Sequence, residues 1–293
     1  MTAQIIDGNK ISQEVKQDVA KEVQALKAKG ITPHLVVVLV GENPASISYV
    51  RNKEKGCEEV GMQSETLRLP ATVSEAEVLK TVQKLNDDPK VHGILVQLPL
   101  PKQVDENKVL LAITPRKDVD AFHPVNVGKL LIGEPDFMPC TPAGIQQLLV
   151  RSGNDPDGKH VVVCGRSNIV GKPVAAILVQ KAKGANATVT ICHTGTKDMA
   201  AFTRQADILV VASGRPNTVT ADMVKPGVVI IDVGVNRIED ATKKSGFRLV
   251  GDVDFDGVKE KAAAITPVPG GVGPMTIAML LANTAKAAKL AGK

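Results

Sequence analysis

Apolar runs alternate with helix-like patterns from one end of the chain to the other. In the first half, "LVVVLVG" (Leu35 to Gly41) and "GILVQLP" (Gly93 to Pro99) are continuous apolar stretches of the kind found in strands buried on both faces. A third, shorter strand is predicted at "SETLRLP". The predicted helices between and around these strands cover Ser12 to Lys29, Ala45 to Val60 and Ser74 to Asn86. This alternation predicts a parallel α/β architecture.

The second half repeats the pattern after a turn-rich boundary, "SGNDPDGKH" (Ser152 to His160). Strands are predicted at "VVVCG", "TVTIC", "DILVVASG" and "VVIIDVG", and the segment "PMTIAMLLANTAKAAKL" is predicted to form a final helix. We therefore predict two α/β lobes with a cleft between them. The first spans 1–140 and takes back the C-terminal helix 274–293. The second, 141–273, is a Rossmann-type nucleotide-binding domain.

Composition narrows the function classes. The net charge of +5 is spread without Lys/Arg runs, and aromatic residues make up only 2%, which argues against nucleic-acid partners. The four Cys form no CxxC and the five His show no metal-ligand spacing, so neither disulfides nor a metal site is expected. The start lacks a signal-peptide pattern, and no long apolar span is present. These features favour a cytoplasmic protein without a membrane partner.

The segment "KHVVVCGRSNIVGKPVAAILV" (Lys159 to Val179) has the strand, turn and helix of a dinucleotide-binding motif. Gly165 makes the turn, Gly171 allows the helix to pack on the strand, and the N–H groups between them are expected to face a pyrophosphate. The motif is one residue longer than GxGxxG and has Ser167 where the second Gly would stand. An ordinary strand–helix turn is the alternative interpretation.

The tip of the following strand indicates which dinucleotide would bind. An NAD site usually has Asp or Glu there, whereas "TVTICHTGTK" has His193, Thr194 and Thr196. Arg166 and Lys197 lie close by in the sequence, and cations favour a 2′-phosphate. The pattern favours NADP over NAD, unless both cations are simply solvated surface charges.

Candidate chemistry lies in the first lobe. Tyr49 and Lys53 stand one helical turn apart in "SYVRNKEKG", and Gln97 follows a buried parallel strand, where α/β sheets place ligands. Asp118 and Asp120 lie in the loop "KDVDAFHP". An amphipathic helix with a chance Tyr and a solvated Lys is the alternative for the first pair.

A Gly/Pro-rich loop, "PVPGGVGPMT" (Pro267 to Thr276), leads into the last helix. Pro restricts φ and Gly permits unusual backbone shapes, so the loop is expected to have a fixed form. It ends at a helix N-terminus, where free N–H groups favour anions. The alternative is a hinge that only carries the chain back to the first lobe.

Together these stretches resemble the bifunctional methylenetetrahydrofolate dehydrogenase/methenyltetrahydrofolate cyclohydrolase family over essentially the whole chain. The matches also include "VGENPASISYVRNKEKGCEEVG", "GILVQLPLP", "PCTPAG", "GRSNIVGKP", "DVGVN" and "GDVDF". One departure is Ala121, where the family often has Gly.

The resemblance implies that NADP⁺ oxidises 5,10-methylenetetrahydrofolate and that water opens the methenyl product to 10-formyltetrahydrofolate, both in one cleft. It implies a catalytic Lys53 oriented by Gln97, a pterin-holding Asp120, and Tyr49 packed on the folate rings. The predicted folate contacts are Tyr49, Lys53, Gln97, Leu98, Pro99, Asp120, Pro269, Gly270 and Gly271. The predicted cofactor contacts are Gly165, Arg166, Ser167, Ile169, Val170, His193, Thr194, Ser213, Gly214 and Val233.

A homodimer formed through the nucleotide lobe is also implied by the resemblance alone. Three other hypotheses remain open at this point: a dehydrogenase without cyclohydrolase activity, a non-catalytic NADP-binding sensor or scaffold, and a different two-lobed dehydrogenase such as a shikimate or amino-acid enzyme.

Overall fold

The computed structural model describes residues 2–243 and 246–292 of the chain. Met1 and Lys293, which bound the predicted domain ranges, lie outside the described residues. The chain divides into two compact units. Unit 1 contains residues 1–12 and 141–276, and unit 2 contains residues 13–140 and 277–293. The first twelve residues, assigned to the N-terminal domain in the sequence analysis, thus fall in unit 1.

Unit 1 is built on a six-stranded sheet in which every neighbouring pair is parallel. Its strands, numbered in chain order, are β1 (Gln4–Ile5), β5 (His160–Cys164), β6 (Thr188–Cys192), β7 (Ile208–Val211), β8 (Val229–Asp232) and β11 (Ala264–Ile265). Their spatial order is β1-β11-β8-β7-β5-β6. The pairing of β1 with β11 explains why the N-terminal residues belong to this unit.

Within the described residues, unit 1 also contains five helical segments, and its sheet residues form a buried apolar core with side chains of the three shortest ones. The five segments are α6 (Cys140–Arg151), α7 (Gly171–Leu178), α8 (Met199–Thr203), α9 (Phe255–Val258) and a 3₁₀ turn (Ala221–Met223). An antiparallel hairpin of β9 (Asn236–Glu239) and β10 (Phe247–Val250) follows β8 and was not predicted from the sequence. Its strands consist of exposed and partly buried residues, and only β9 alternates between the two classes, so the sequence carries little signal for them.

Unit 2 has a three-stranded parallel sheet in the order β3-β2-β4. The strands are β2 (His34–Val40), β3 (Gln63–Leu69) and β4 (Gly93–Val96). All residues of β2 and β4 are buried, as their continuous apolar runs predict. The helices are α1 (Gly8–Lys27), α2 (Pro44–Val60), α3 (Glu75–Asp87), α4 (Glu106–Ala112), α5 (Pro124–Leu131) and α10 (Val272–Ala291). The first turns of α1 and α10 belong to unit 1.

Helix boundaries follow local capping chemistry. The Ser74–Glu77 capping box predicted for α3 is present in full. Helix α1 starts at Gly8, before the predicted Ser12, because the Asp7 carboxylate accepts the N–H groups of Asn9 (2.9 Å) and Lys10 (3.2 Å). Strand β4 ends at Val96, before the predicted Pro99, which has no N–H to donate. No helix in the described part of the chain is both long and apolar enough to cross a membrane.

Candidate active site

Helix α2 carries the candidate catalytic lysine. Asn43 caps its N-terminus by accepting the N–H groups of Ala45 and Ser46, and Gly61 ends it with a left-handed φ of 77°. A side chain at Gly56 would lie 3.1 Å from Ile277 of α10, so this glycine lets the two helices approach closely. Lys53 faces the same interior and is only 8% exposed.

The Lys53 ammonium is bonded to the residue predicted as its partner. Its Nζ donates to Gln97 Oε1 at 2.8 Å, and Gln97 Nε2 donates to the carbonyl of Leu98 at 2.7 Å. Gln97 comes directly after β4, and its N–H still bonds to Val38 on β2. Helix α2 therefore carries the amine, and Gln97, fixed at the end of strand β4, holds it in place.

Burial dominates the electrostatics around Lys53. Desolvation lowers the pKa of this lysine, against the opposing influence of Asp120 and Cys140. The pKa of Asp120 is raised by burial, while Lys53 acts to lower it. Both groups are thus shifted towards their neutral forms, which makes an uncharged amine available at a lower pH than an exposed lysine would allow.

The loop that carries Asp120 is held by a second carboxylate. Asp118 is buried, and its Oδ2 accepts the N–H of His123 and the side-chain amide of Asn126, both at 2.8 Å. Ala121 adopts a φ of 60°, a left-handed conformation that favours glycine. This is the position where the sequence departs from the family pattern.

Two further residues next to this site were not predicted as part of it. Cys140 is buried beside Asp120, and burial followed by the Asp120 charge raises the pKa of its thiol. Asn283 on α10 donates to the carbonyls of Val119 (2.8 Å) and Met138 (2.9 Å). Asn283 and Thr284 are the two polar residues within the apolar run "MLLANTA", and that interruption is the signal by which Asn283 could have been found.

Tyr49 differs from Lys53 although both lie on α2 four residues apart. The tyrosine side chain is 52% exposed, whereas the lysine is buried. The same helix thus places an aromatic ring towards solvent one turn before an interior amine.

In unit 1, a cavity of about 380 Å³ lies at the carboxyl ends of β5, β6 and β7. It is lined by Cys164, Gly165, Arg166, Ser167, Cys192, His193, Thr194, Thr196, Met199, Ala212, Ser213, Arg215 and Thr218. Six of the predicted cofactor contacts belong to this lining: Gly165, Arg166, Ser167, His193, Thr194 and Ser213. Ile169, Val170, Gly214 and Val233 do not.

The turn between β5 and α7 packs as its glycines predict. A side chain at Gly171 would lie 2.2 Å from the carbonyl oxygen of Gly165, and one at Gly165 would lie 2.3 Å from that of Ala212. Ser167 Oγ accepts the N–H of Val170 at 3.1 Å. This amide is therefore bonded within the protein, whereas the sequence analysis predicted that it faces a ligand. Within the described residues, the N–H groups of Ser167, Asn168 and Ile169 make no hydrogen bond.

The cavity is cationic. Arg166 and Arg215 both line it, and none of the described lining residues is Asp or Glu. Neither arginine takes part in a salt bridge with another described residue. Unbonded amides and unpaired guanidinium groups suit a phosphorylated ligand. Arg215 was not predicted, because a single Arg after "ASG" matches no motif.

Comparison with known proteins agrees with this geometry. A family profile described as "Tetrahydrofolate dehydrogenase/cyclohydrolase, catalytic domain" matches residues 6–120, and one described as "Tetrahydrofolate dehydrogenase/cyclohydrolase, NAD(P)-binding domain" matches residues 139–292. The chain belongs to the tetrahydrofolate dehydrogenase/cyclohydrolase family. Membership of this family rules out the alternative of a shikimate or amino-acid dehydrogenase.

Individual relatives match along the whole chain. The "Bifunctional protein FolD" of Syntrophus aciditrophicus is 61% identical over 290 residues, which is 99% of both chains. The solved bifunctional enzyme FolD from Campylobacter jejuni is 49% identical, with a TM-score of 0.92 and coverage of 98% of this chain and 99% of the other. The Trypanosoma brucei enzyme, solved with NADP cofactor and an inhibitor, is 40% identical, with a TM-score of 0.93 and coverage of 100% and 99%.

The family resemblance stated from the sequence is thereby confirmed, as is the α/β fold with a Rossmann-type lobe. Pro269, Gly270 and Gly271 lie in unit 1, between β11 and the start of α10. A side chain at Gly271 would lie 2.6 Å from the carbonyl oxygen of Pro267, and Gly270 has a φ of 102°. The loop therefore has the fixed, glycine-dependent shape that the sequence predicts. No group of His, Cys, Asp or Glu able to hold a metal ion occurs among the residues described.

Proposed function

We propose that this chain oxidises 5,10-methylenetetrahydrofolate to 5,10-methenyltetrahydrofolate with NADP⁺ and hydrolyses the product to 10-formyltetrahydrofolate. It is an NADP-dependent enzyme of one-carbon metabolism, acting as both oxidoreductase and hydrolase. The observation that carries the function is the buried Lys53–Gln97 pair at 2.8 Å in a chain that matches both family domains. A scaffold would have no use for an amine whose burial is costly.

The hydrolytic step follows from the lowered pKa of Lys53. We assign the neutral amine as the base that accepts a proton from water while the water oxygen bonds to the cationic methenyl carbon. The resulting carbinol then loses its hydroxyl proton to form the formyl C=O on N10 as the carbon–N5 bond breaks; of the two protons from water, N5 takes one and the other is released to solvent. Gln97 orients the amine by accepting its hydrogen bond and adds no charge.

Binding of the pterin is assigned to Asp120, with Tyr49, Leu98 and Pro99 as neighbouring folate contacts. A carboxylate accepts two hydrogen bonds from the aminopyrimidinone edge of a pterin. Fixing the ring in this way places the one-carbon bridge near Lys53, and such positioning is a large part of catalysis. Pro269, Gly270 and Gly271 are proposed as further substrate contacts.

The nucleotide cavity of unit 1 is assigned to NADP. The free amides of Ser167, Asn168 and Ile169 suit the pyrophosphate, and Arg166 with Thr194 suits the 2′-phosphate. Gly165, Val170, His193, Ser213, Gly214 and Val233 are proposed to complete the site. When bound, NADP⁺ supplies the hydride acceptor for the oxidation.

We also propose that the enzyme works in the cytoplasm as a homodimer formed through the nucleotide lobe. All four cysteines are free and buried. Strand β6 ends the order of the six-stranded sheet, and the backbone N–H and C=O groups along such an edge can pair with a strand of a second copy. Light scattering on a size-exclusion column tests the dimer, and a monomer at micromolar concentration refutes it.

The function is tested by a spectrophotometric assay with 5,10-methylenetetrahydrofolate and either NADP⁺ or NAD⁺, followed by methenyltetrahydrofolate alone. We expect reduction of NADP⁺ together with decay of the methenyl absorbance above its spontaneous rate. Reduction without decay would indicate a dehydrogenase lacking the second activity. If NADP bound with neither reaction occurring, the chain would be a sensor or scaffold.

A further inference from the structure

Two buried carboxylates lie in the nucleotide lobe outside the cavity lining. Asp252 is 0% exposed and Asp232 is 2% exposed. Neither appears among the residues that line the cavity at the ends of β5, β6 and β7. Because a buried carboxylate is costly unless hydrogen bonds compensate it, the donors around these two residues indicate what they hold in place.

The donors to Asp252 come from the edge of the cavity. Its Oδ2 accepts the N–H of Ser213 at 2.6 Å, the N–H of Gly214 at 2.8 Å and the hydroxyl of Ser213 at 3.0 Å. Its Oδ1 accepts the side-chain amide of Asn236 at 2.8 Å. One carboxylate oxygen thus accepts the two backbone N–H groups at the start of the turn that follows β7.

Asp252 is itself held by Asp232. The Asp252 N–H donates to Asp232 Oδ1 at 2.9 Å, and the next amide, of Val253, donates to Oδ2 at 3.0 Å. Glycines make room for this arrangement. A side chain at Gly234 would lie 2.2 Å from Asp252 Oδ1, and one at Gly251 would lie 1.8 Å from Asp232 Oδ2.

We propose that Asp252 is a positioning residue for the cofactor, which sets the Ser213–Gly214 turn at the edge of the nucleotide cavity without touching the ligand. The inference rests on the assignment of this cavity to NADP. Ser213 lines the cavity while its N–H points to Asp252, and its hydroxyl lies within hydrogen-bond distance of both Asp252 and Thr218. The remaining atoms of the turn therefore face the cofactor, and the hydrogen bonds to Asp252 fix their position.

The test is Asp252→Asn, because an amide has one oxygen where the carboxylate has two. Whichever way the amide turns, its NH₂ faces either the Ser213 and Gly214 N–H groups or the Asn236 amide. We expect the Kd for NADP to rise about tenfold or more. Hydrolysis of methenyltetrahydrofolate without NADP is expected to stay within about twofold, an outcome that a general loss of structure would not give.

Asp254→Asn is the matched control. This residue lies two positions further along and caps the short helix α9 by accepting the N–H of Gly257 at 3.3 Å, away from the cavity lining. Because Asn caps a helix about as well as Asp, we expect this variant to change the melting temperature little and to leave the Kd for NADP within about twofold. Equal weakening of NADP binding by both variants, or none by Asp252→Asn, would overturn the proposal.

A milder variant covers the case in which Asp252→Asn does not fold. Asn236→Ala removes the donor to Asp252 Oδ1 and leaves the Ser213–Gly214 bonds in place. We expect the Kd for NADP to rise about threefold, and an unchanged Kd would count against the proposal. Titration with NADP alone needs no turnover, so an inactive wild-type chain that bound NADP would refute the proposed function, while the Kd of Asp252→Asn would still confirm or overturn this inference.

Discussion

The two candidate sites treat the charge of their basic side chains in opposite ways. The site in unit 2 places an ionisable amine in the interior, where desolvation lowers its pKa and a single glutamine orients it. The cavity in unit 1 has arginines and unbonded backbone amides at its lining, whereas the buried carboxylates Asp232 and Asp252 lie outside that lining. The difference follows from what each must do: a base needs to lose its charge, whereas a phosphate-binding surface needs to keep it.

Lys53→Met is expected to have the largest effect, because it removes the base from the buried site. The rate of methenyltetrahydrofolate hydrolysis should fall by about 10²- to 10⁴-fold, while the Kd for NADP stays unchanged. Lys55→Met is the matched control, since Lys55 lies on the same helix with its side chain 74% exposed. Hydrolysis surviving in Lys53→Met would remove the assignment of this residue.

The pH dependence of the wild-type enzyme tests the same site. The hydrolysis rate should rise with pH until it reaches the pKa of Lys53, because only the neutral amine accepts a proton. Since burial lowers that pKa, the plateau should begin clearly below pH 10.5. A rate that still rises at pH 10.5 would mean that the amine is not shifted.

Arg166→Gln tests the nucleotide cavity of unit 1, where the arginine charge is retained. Loss of a charged hydrogen bond to the 2′-phosphate should weaken NADP by about 10- to 100-fold and NAD much less. Arg215→Gln should shift the same ratio in the same direction by a smaller factor. Lys183→Gln, an exposed cation of the same lobe that does not line the cavity, is the control. Equal losses for NADP and NAD would contradict a 2′-phosphate role.

Asp232→Asn tests how the buried Asp232 carboxylate changes the pH dependence of the free energy of unfolding. Burial raises the pKa of Asp232 to about 6, against an ordinary value of 3.8. The folded state therefore holds a proton that the unfolded chain has lost, so the free energy of unfolding should fall as pH rises from about 4.5 to 7. The contribution is about 2 kcal/mol. Urea unfolding at both pH values should show this difference in the wild type and in Asp254→Asn, and its persistence in Asp232→Asn would contradict the assignment.

Ala121→Gly should have the smallest effect and concerns the loop beside the buried amine. Relief of the left-handed φ of 60° offers about 1 to 2 kcal/mol, and the greater freedom of glycine in the unfolded chain offsets up to about 1 kcal/mol. A net stabilisation below about 1 kcal/mol is expected in thermal unfolding. Ala20→Gly within α1 provides the contrast and should destabilise. Destabilisation by both variants would show that Ala121 is not strained.

The sequence was most informative where one element determines the outcome. The buried runs of β2 and β4, the capping box of α3 and the close contact of Gly171 with Gly165 are all encoded within short stretches of the chain. The Lys53–Gln97 pairing was available only through resemblance, since residues on α2 and after β4 meet through the fold.

Other parts depend on contacts between distant segments, which local patterns do not encode. The two-residue strand β1 exists because it pairs with β11 near the other end of the chain. Arg215, which follows β7, joins Arg166, which follows β5, in one cavity only because β7 pairs with β5. The role of Asp252 was hidden for the same reason, because its partners Ser213, in the turn after β7, and Asn236, at the start of β9, lie 39 and 16 residues away in the sequence.

The exposed ring on α2 also has a spectroscopic consequence. Tyr49 is the only tyrosine, and the chain has no tryptophan. Ultraviolet emission excited near 280 nm therefore comes from one phenol, one helical turn from the proposed base. Quenching of that emission by a folate analogue would report occupancy of this single location, so the native enzyme contains an intrinsic fluorescent probe without any added label.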